Sequence, residues 1–335
     1  MNKRVLRADI LLLITAGLWG FGFVAQSSGM DYVGPFTYNA LRFPLGSIFL
    51  LPFIFLKKTK GDLSVPLLSA KLDRVKMTLL AGIILFIAVA VQQIGMIFTS
   101  VGNAGFITGF YVVLTPVFGI FIGKKTGLPT WAGMVFAVIG LYFIFAAGNI
   151  SSVNPGDLFI LASAVFWAFH ILVIDHLVQK IDPLVLASGQ FAWCGFFSII
   201  AAFAIEPFAG NWARWIAPDY TVQQWVSLSD LFRPDGSFAV LLAAVSDAAV
   251  PILYGGLASV GIAYTLQVVA QKDAPPAHAT IILSLEGCFA AFGGILLRNE
   301  KPGPFTLLGF FFMLFAMIIT QWDVLGHNRN RRKPK

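Results

Sequence analysis

Apolar runs of about 20 residues recur along the whole chain, separated by short polar segments. A helix of that length crosses the hydrocarbon core of a bilayer. The alternating short strands and amphipathic helices of a soluble α/β protein are not visible. The pattern therefore predicts an all-α integral membrane protein with ten transmembrane helices. The predicted spans are Ala8–Ser28, Pro35–Leu56, Lys76–Phe98, Gly102–Gly123, Leu128–Ala147, Asp157–Leu177, Pro183–Ile205, Ala248–Ala270, Pro276–Leu297 and Gly303–Trp322.

The first two spans match the sixth and seventh at a constant offset of 148 residues. Unrelated apolar stretches often share leucine, but a common register of Asp, Trp and Pro indicates a duplication. The matched pairs are Asp9/Asp157, Leu13/Leu161, Ala16/Ala164, Trp19/Trp167, Phe21/Phe169, Pro35/Pro183, Phe43/Phe191 and Phe49/Phe197. We predict two repeats of five helices each, residues 8–147 and 156–322.

One long segment, residues 206–247, interrupts the second repeat. It holds Trp212, Trp215 and Trp225, and tryptophan prefers the interface between membrane and water. We predict a loop resting at that interface, with a short amphipathic helix near Phe238–Val245. A gating role and a partner-binding role both stay open for this loop. Residues 323–335 predict a basic cytoplasmic tail near anionic lipid.

Charged residues form 12% of the chain, against about 25% in soluble domains, and hydrophobic residues form 58%. The net charge of +7 could indicate nucleic-acid binding, but the basic residues lie in short loops and in the tail. With the amino terminus in the cytoplasm, eighteen Lys and Arg residues fall on the cytoplasmic side. Only four, Arg214, Arg233, Arg298 and Lys301, fall on the other side. This bias predicts that both termini are cytoplasmic.

Five helices per repeat is an odd number, so the second repeat would enter the membrane from the opposite side to the first. Inverted repeats are typical of secondary transporters, whose two halves exchange shapes around a site near the midplane. The alternative is that the duplication only built a stable helix bundle. The pattern favours transport by alternating access.

Two charged residues fall inside predicted spans. Arg42 lies roughly 10 Å from the outer end of the second span at 1.5 Å per residue. It could bind an anionic group or exchange ion pairs, or it could reach the surface or tie helices together. Glu286, near the middle of the ninth span, could carry a proton when burial favours its neutral form, or it could hydrogen-bond a neighbouring helix. Together the two side chains would suit a zwitterion such as an amino acid.

Trp19 and Trp167 both lie about 15 Å deep, counted from opposite sides of the membrane. They could wall a cavity and stack on the solute, or they could fill gaps between helices. His170 could relay protons, or it could be a packing residue. Other polar groups in the spans should face the bundle interior, where some only join helices. The complete predicted solute-binding set is Trp19, Asn39, Arg42, Gln93, Tyr111, Trp167, His170, Gln190, Tyr264, Ser284 and Glu286.

Three groups of motif residues follow one another along the chain. They are Asp9 with Trp19-Gly20, Pro35 with Ala40-Leu41-Arg42-Phe43, and Leu283-Ser284-Leu285-Glu286-Gly287 followed by Asn299-Glu300. In this order the chain resembles the drug/metabolite transporter superfamily, and within it the EamA-like ten-helix permeases, which have proline where this chain has Gly287. The resemblance covers roughly residues 8–322. It implies a single-chain inner-membrane carrier, commonly an exporter, with a central cavity between spans one to four and six to nine.

Motifs for catalysis are absent from the sequence: there is no phosphate-binding glycine loop, no HExxH and no Cys/His cluster with metal spacing. We expect no enzyme, no cofactor and no metal. We predict a secondary transporter for a small amino acid-like or amphiphilic solute, working by efflux or exchange in the inner (plasma) membrane. Its expected partners are the solute, the lipid bilayer and a proton as candidate coupling ion, with no nucleic acid, and the chain acts as a monomer or homodimer. The alternatives are a channel, a sensor or structural subunit, and an uptake carrier for nucleotides, sugars or vitamins.

Overall fold

A computed structural model of the protein describes residues 3–59, 69–121, 123, 127–146, 154–217, 225–232, 238–274 and 276–330. Within these ranges the backbone is helical apart from short connections, and the single extended pairing is a bridge between Val33 and Val226. The predicted span end at Ala147 and tail residues 331–335 lie outside the described residues. The helices are α1 (Lys3–Gly29), α2 (Pro35–Thr59), α3 (Ser69–Met96), α4 (Val101–Thr108), α5 (Tyr111–Phe121), α6 (Leu128–Ala146), α7 (Pro155–Leu177), α8 (Pro183–Ala204), α9 (Ala209–Ile216), α10 (Phe238–Asp247), α11 (Ala249–Leu253), the π segment (Tyr254–Tyr264), α12 (Thr265–Gln271), α13 (Pro276–Leu283), α14 (Glu286–Arg298) and α15 (Pro304–Asn330).

Eight helical segments of the described chain are long and apolar enough to cross a membrane. They correspond to predicted spans one to four and six to nine. In the positions of the fifth and tenth spans, α6 and α15 pack along each other. Large apolar side chains, such as Phe121 at 83% exposure, point away from the bundle. Only lipid can cover such a surface at low cost, so the chain is a multi-pass membrane protein.

The packing of the helices follows the sequence repeat. Helix α2 packs along α8, its counterpart at the 148-residue offset, and the rings of Phe43 and Phe191 meet between them. Helix α3 packs on α7 and α8, and the corresponding part of the second half, from α11 to α12, packs on α1 and α2. These contacts between helices of different halves thus have equivalents with the halves exchanged.

Helices α2 and α8 run antiparallel, and each end of the pair has its own polar contact. Where α2 ends, Lys57 pairs with Asp182, which caps the start of α8. Where α8 ends, the carboxylate of Glu206 accepts hydrogen bonds from the N–H groups of Phe36 (2.5 Å) and Thr37 (2.7 Å) at the start of α2. We refer to the end of the bundle at Lys57 and Asp182 as the basic face, and to the end at Glu206 and Thr37 as the loop face.

The eighth predicted span is not a regular α-helix, which the sequence did not predict. Its middle, the π segment, has the wider turns that often mark functional positions. Helix α1 bonds to two of its carbonyl groups: the Thr15 hydroxyl donates to Ala263 O at 3.1 Å, and Trp19 Nε1–H donates to Ser259 O at 3.3 Å. Side chains of the first half thereby satisfy backbone groups of the second.

Predicted spans four and nine are both broken near their middles, α4 from α5 and α13 from α14. Pro116 lies inside α5, after the break in span four, and Gly287 follows the break in span nine. The two broken spans cross where Gly105 faces Gly287, and a Cβ atom on Gly105 would lie only 2.4 Å from that of Ala290. Both spans break within about one helical turn of this crossing.

The segment between α8 and α11 covers the loop face. Helix α10 includes the predicted helix at Phe238–Val245, but α9, which buries Ala213 and exposes 85% of Trp215, was not predicted. Trp225 Nε1–H donates to Met30 O at 2.9 Å at the end of α1. The strand-like residue Val226 exchanges backbone hydrogen bonds with Tyr32 and Gly34. The loop is therefore attached to the start of α2, while its position at the headgroup level stays a prediction.

Candidate functional site

A cavity lies in the middle of the bundle, between the two halves of the chain. Its volume is about 30 Å³, enough for roughly two water molecules. An organic solute of several heavy atoms does not fit unless the helices separate. The cavity is lined by Trp19, Phe23, Gln26, Arg42, Gln92, Thr108, Tyr111, Trp167, Ile171, Ser259, Tyr264, Gln267 and Glu286.

Arg42 is the charged group on the α2 side of the cavity, and only 2% of the residue is exposed. Its Nε–H donates to Asn39 Oδ1 at 2.8 Å, and its Nη2–H donates to Gln26 Oε1 at 3.0 Å. Asn39 lies one turn before Arg42 on the same helix, which explains why this pair forms. The guanidinium also lies over the rings of Tyr38 (5.2 Å) and Phe43 (4.9 Å). All of these partners are neutral, so they orient the guanidinium without neutralising it.

Glu286 is the acidic group of the cavity and the first residue of α14. It follows the two-residue break at Ser284 and Leu285, where the N–H groups of Gly287 and Cys288 donate to Ser284 O and Leu285 O. Tyr111 of α5 lies beside this carboxyl group. The cavity thus carries one fixed cation and one acidic group, contributed by different halves of the chain.

Three aromatic side chains form the wall between these groups. Tyr264 of the π segment contacts Trp19, with ring centroids 4.5 Å apart, and Trp167, with centroids 6.0 Å apart. The two tryptophans are equivalent positions of the sequence repeat. Their convergence on one tyrosine places apolar surface from both halves around the same small space.

Two polar atoms on the cavity wall are buried and have no hydrogen-bond partner among the described residues. They are Trp167 Nε1 and Gln267 Oε1. A buried polar group without a partner costs about 1–3 kcal/mol. The wall therefore offers one donor and one acceptor to a polar molecule that enters the cavity.

Six of the predicted site residues line the cavity: Trp19, Arg42, Tyr111, Trp167, Tyr264 and Glu286. The other five are buried around it and are absent from its lining. Asn39 orients Arg42, and His170 pairs with Gln190. Gln93 is fully buried, and both of its amide atoms lack a partner in the part of the chain that the structure describes. The Ser284 hydroxyl donates to Ile281 O at 2.7 Å, next to the break before α14.

Seven lining residues were not in the predicted set: Phe23, Gln26, Gln92, Thr108, Ile171, Ser259 and Gln267. Helical spacing could have indicated some of them, since Trp19, Phe23 and Gln26 recur at intervals of three and four along one face. Gln92 and Gln267 are polar residues within apolar spans, which is the same signal that selected Gln93. Ser259 is also a polar residue within an apolar span, but its position on the cavity depends on the π segment.

The family model for the EamA-like transporter family matches the chain twice, over residues 6–146 and 154–322. The chain belongs to the EamA-like transporter family. The family confirms the resemblance drawn from the sequence motifs. The protein is therefore a member of a family of membrane transporters with several membrane-spanning helices.

Two relatives come from Archaeoglobus fulgidus, and each is described as an uncharacterized transporter. One is 27% identical over 320 residues, covering 95% of this chain and 87% of the relative. The other is 22% identical over 318 residues, covering 94% of this chain and 97% of the relative. A protein crystal structure with 16% identity superposes with a TM-score of 0.60 over 93% of this chain and 95% of that chain, which supports the fold alone.

Proposed function

We propose that this EamA-like protein is a secondary transporter that carries a small zwitterionic, amino acid-like solute across the cytoplasmic membrane by alternating access, as an exporter or exchanger. The observation that carries the proposal is Arg42, a buried cation on the central cavity whose hydrogen-bond partners are neutral. A guanidinium deep in a membrane protein costs several kcal/mol unless an anion or water meets it. A solute carboxylate would supply that anion.

The rest of the cavity supports the second charge and the apolar part of such a solute. Glu286 could accept an ammonium group, while Trp19, Trp167 and Tyr264 could contact a side chain. The Trp167 Nε1–H could donate to a carboxylate oxygen beside Arg42. Each residue in this scheme binds or orients the solute, and none needs a cofactor.

The architecture supports a mechanism in which the two halves move. We place ten helices in the membrane as two inverted five-helix repeats, with the basic face and both termini in the cytoplasm, following the distribution of Lys and Arg. The antiparallel contact of α2 with α8 favours an inverted relation between the repeats. The small cavity corresponds to a closed state. Separation of helices at one face would expose Arg42 and Glu286 to that side of the membrane. Separation at the other face would then expose both residues to the opposite side.

The test is counterflow in liposomes that contain the purified protein. Liposomes loaded with an unlabelled amino acid or nucleoside are diluted into a trace of the same labelled compound, across a panel of both classes. A carrier accumulates the label transiently, because influx on the carrier exceeds efflux until the unlabelled pool is exhausted. We expect this overshoot with at least one amino acid and with no nucleoside. Equilibration without overshoot would indicate a channel, and absence of any flux across the panel would contradict transport of this solute class.

A further inference from the structure

His170 is a titratable side chain that the proposed solute site does not use. It lies in the middle of α7 and is completely buried. Its Nε2 atom is 2.8 Å from Gln190 Oε1 on α8. With the amide oxygen facing the ring, Nε2 carries the hydrogen and donates it. The other ring nitrogen, Nδ1, then holds a lone pair and has no partner among the described residues, and the same is true of Gln190 Nε2.

The imidazole is in contact with the cavity wall although it is absent from the lining. Its ring meets Trp167 edge-on at 5.8 Å and Tyr264 at 6.5 Å. Tyr264 is the titratable group that faces it from the π segment, and Gln190 faces it from α8. Elements α5 and α14 bring Tyr111 and Glu286 to the same cavity, and the last turns of α3 bring the neutral Gln92 to it, with Gln93 buried nearby.

In the closed state this site favours a neutral imidazole. A proton on Nδ1 would place a full charge in a completely buried position, with no acceptor for the new N–H group. A movement of Trp167 or Tyr264 that opened the cavity would let water reach Nδ1 and stabilise the charge. Proton affinity at this position therefore depends on the conformation, which is the requirement for coupling two fluxes.

We propose that His170 is the proton-binding site that couples proton movement to solute movement, with Gln190 positioning the ring. The proton joins the Nδ1 lone pair from water at one face and leaves from Nδ1 to water at the other, while the Nε2–H bond to Gln190 stays intact. This inference rests on the proposed transport function, and it separates the proton site from the solute site at Arg42. In the sequence repeat, Gln190 occupies the position equivalent to Arg42. The permanent cation of the first half, Arg42, therefore corresponds to the residue that contacts the protonatable His170 in the second half.

The experiment measures proton and solute fluxes together. Liposomes with trapped pyranine receive an imposed pH gradient and the labelled panel amino acid that gives counterflow. The wild type should accumulate the amino acid and move protons in the opposite direction. In His170→Gln, we expect gradient-driven accumulation to fall at least tenfold and the remaining counterflow to lose its dependence on pH between 5 and 8. His176→Gln, which changes an exposed histidine of the same helix, should behave like the wild type.

A second variant keeps the proposal testable if His170→Gln does not fold. Gln190→Glu places a carboxylate beside the imidazole and stabilises its charged form, so the midpoint of the pH profile of counterflow should rise by about one unit or more. A purely structural histidine would leave that midpoint unchanged.

Wild-type accumulation in His170→Gln, or wild-type counterflow without proton movement, would overturn the proposal while leaving transport intact. Absence of counterflow in the wild type would overturn the proposed function and this proposal together.

Discussion

The ring centroids of Phe43 and Phe191 lie 6.4 Å apart, and the two residues occupy equivalent positions in the two halves of the sequence. A residue that contacts its own repeat counterpart lies next to the axis that exchanges the halves. The helices that carry the two rings, α2 and α8, run antiparallel. These relationships support an account in which two inverted halves enclose the cavity beside Arg42.

The packing of Phe43 on Phe191 should contribute measurably to stability. Because both rings are fully buried, Phe43→Ala and Phe191→Ala should each lower the free energy of unfolding by about 3 kcal/mol. The double variant should lose less than the sum of the two, since each single change already removes the shared contact. Unfolding in mixed detergent micelles measures all three. Phe121→Ala, at a position 83% exposed, is the control and should change stability little. Strict additivity would show that the two rings do not interact.

The crossing of α4 over α14 should tolerate no side chain at Gly105. A Cβ atom there would lie 2.4 Å from that of Ala290, so Gly105→Ala should cost about 1–3 kcal/mol through overpacking. This loss opposes the gain in helix propensity that Gly→Ala normally brings. The control is Gly303→Ala, where nothing lies within 4 Å of the added atom. Equal thermal unfolding temperatures for Gly105→Ala and the wild type would contradict the close crossing.

Arg42 should be required for flux and dispensable for folding. A hydrogen bond to a charged group is worth about 1.5–3 kcal/mol, so Arg42→Gln should reduce counterflow at least tenfold while the protein reaches its normal abundance in the membrane. Arg42→Lys should restore little, because an ammonium cannot hold Asn39, Gln26 and a carboxylate in the same geometry. Arg214→Gln, on the exposed side of α9, controls for the lost charge. Wild-type counterflow in Arg42→Gln would remove Arg42 from the solute site.

The sequence predicted the features that depend on hydrophobic length and on residue type. The first four spans of each half, the polar groups at Arg42 and Glu286, and the convergence of Trp19 and Trp167 follow from apolar runs and from the repeat. Helix bounds were less accurate at charged ends: α1 begins at Lys3 and α15 continues to Asn330, since basic residues in the headgroup region do not end a helix.

The sequence could not predict how each helix is rotated about its own axis. Gln92 and Gln93 are neighbours with the same chemistry, yet the structure places the first on the cavity and the second away from its lining. His170 is likewise one position before Ile171, which lines the cavity. Rotation depends on packing against other helices, and here also on the π segment and on the break before Glu286. Both irregularities lie at contacts between the halves, and contacts between distant parts of the chain are not visible in a local pattern.

The most direct test of the account is the sidedness of two positions near the carboxyl ends of α2 and α8, one in each repeat. Thr59 is the last residue of α2 at the basic face, and Phe208, 60% exposed, follows the end of α8 at the loop face. Thr59→Cys and Phe208→Cys are made separately in a background with Cys194→Ala and Cys288→Ala, and intact cells are treated with a membrane-impermeant maleimide. We predict labelling of position 208 from outside and labelling of position 59 only after the membrane is opened. Labelling of both positions from the same side would mean that the repeats are parallel, and it would contradict the inverted arrangement on which the account depends.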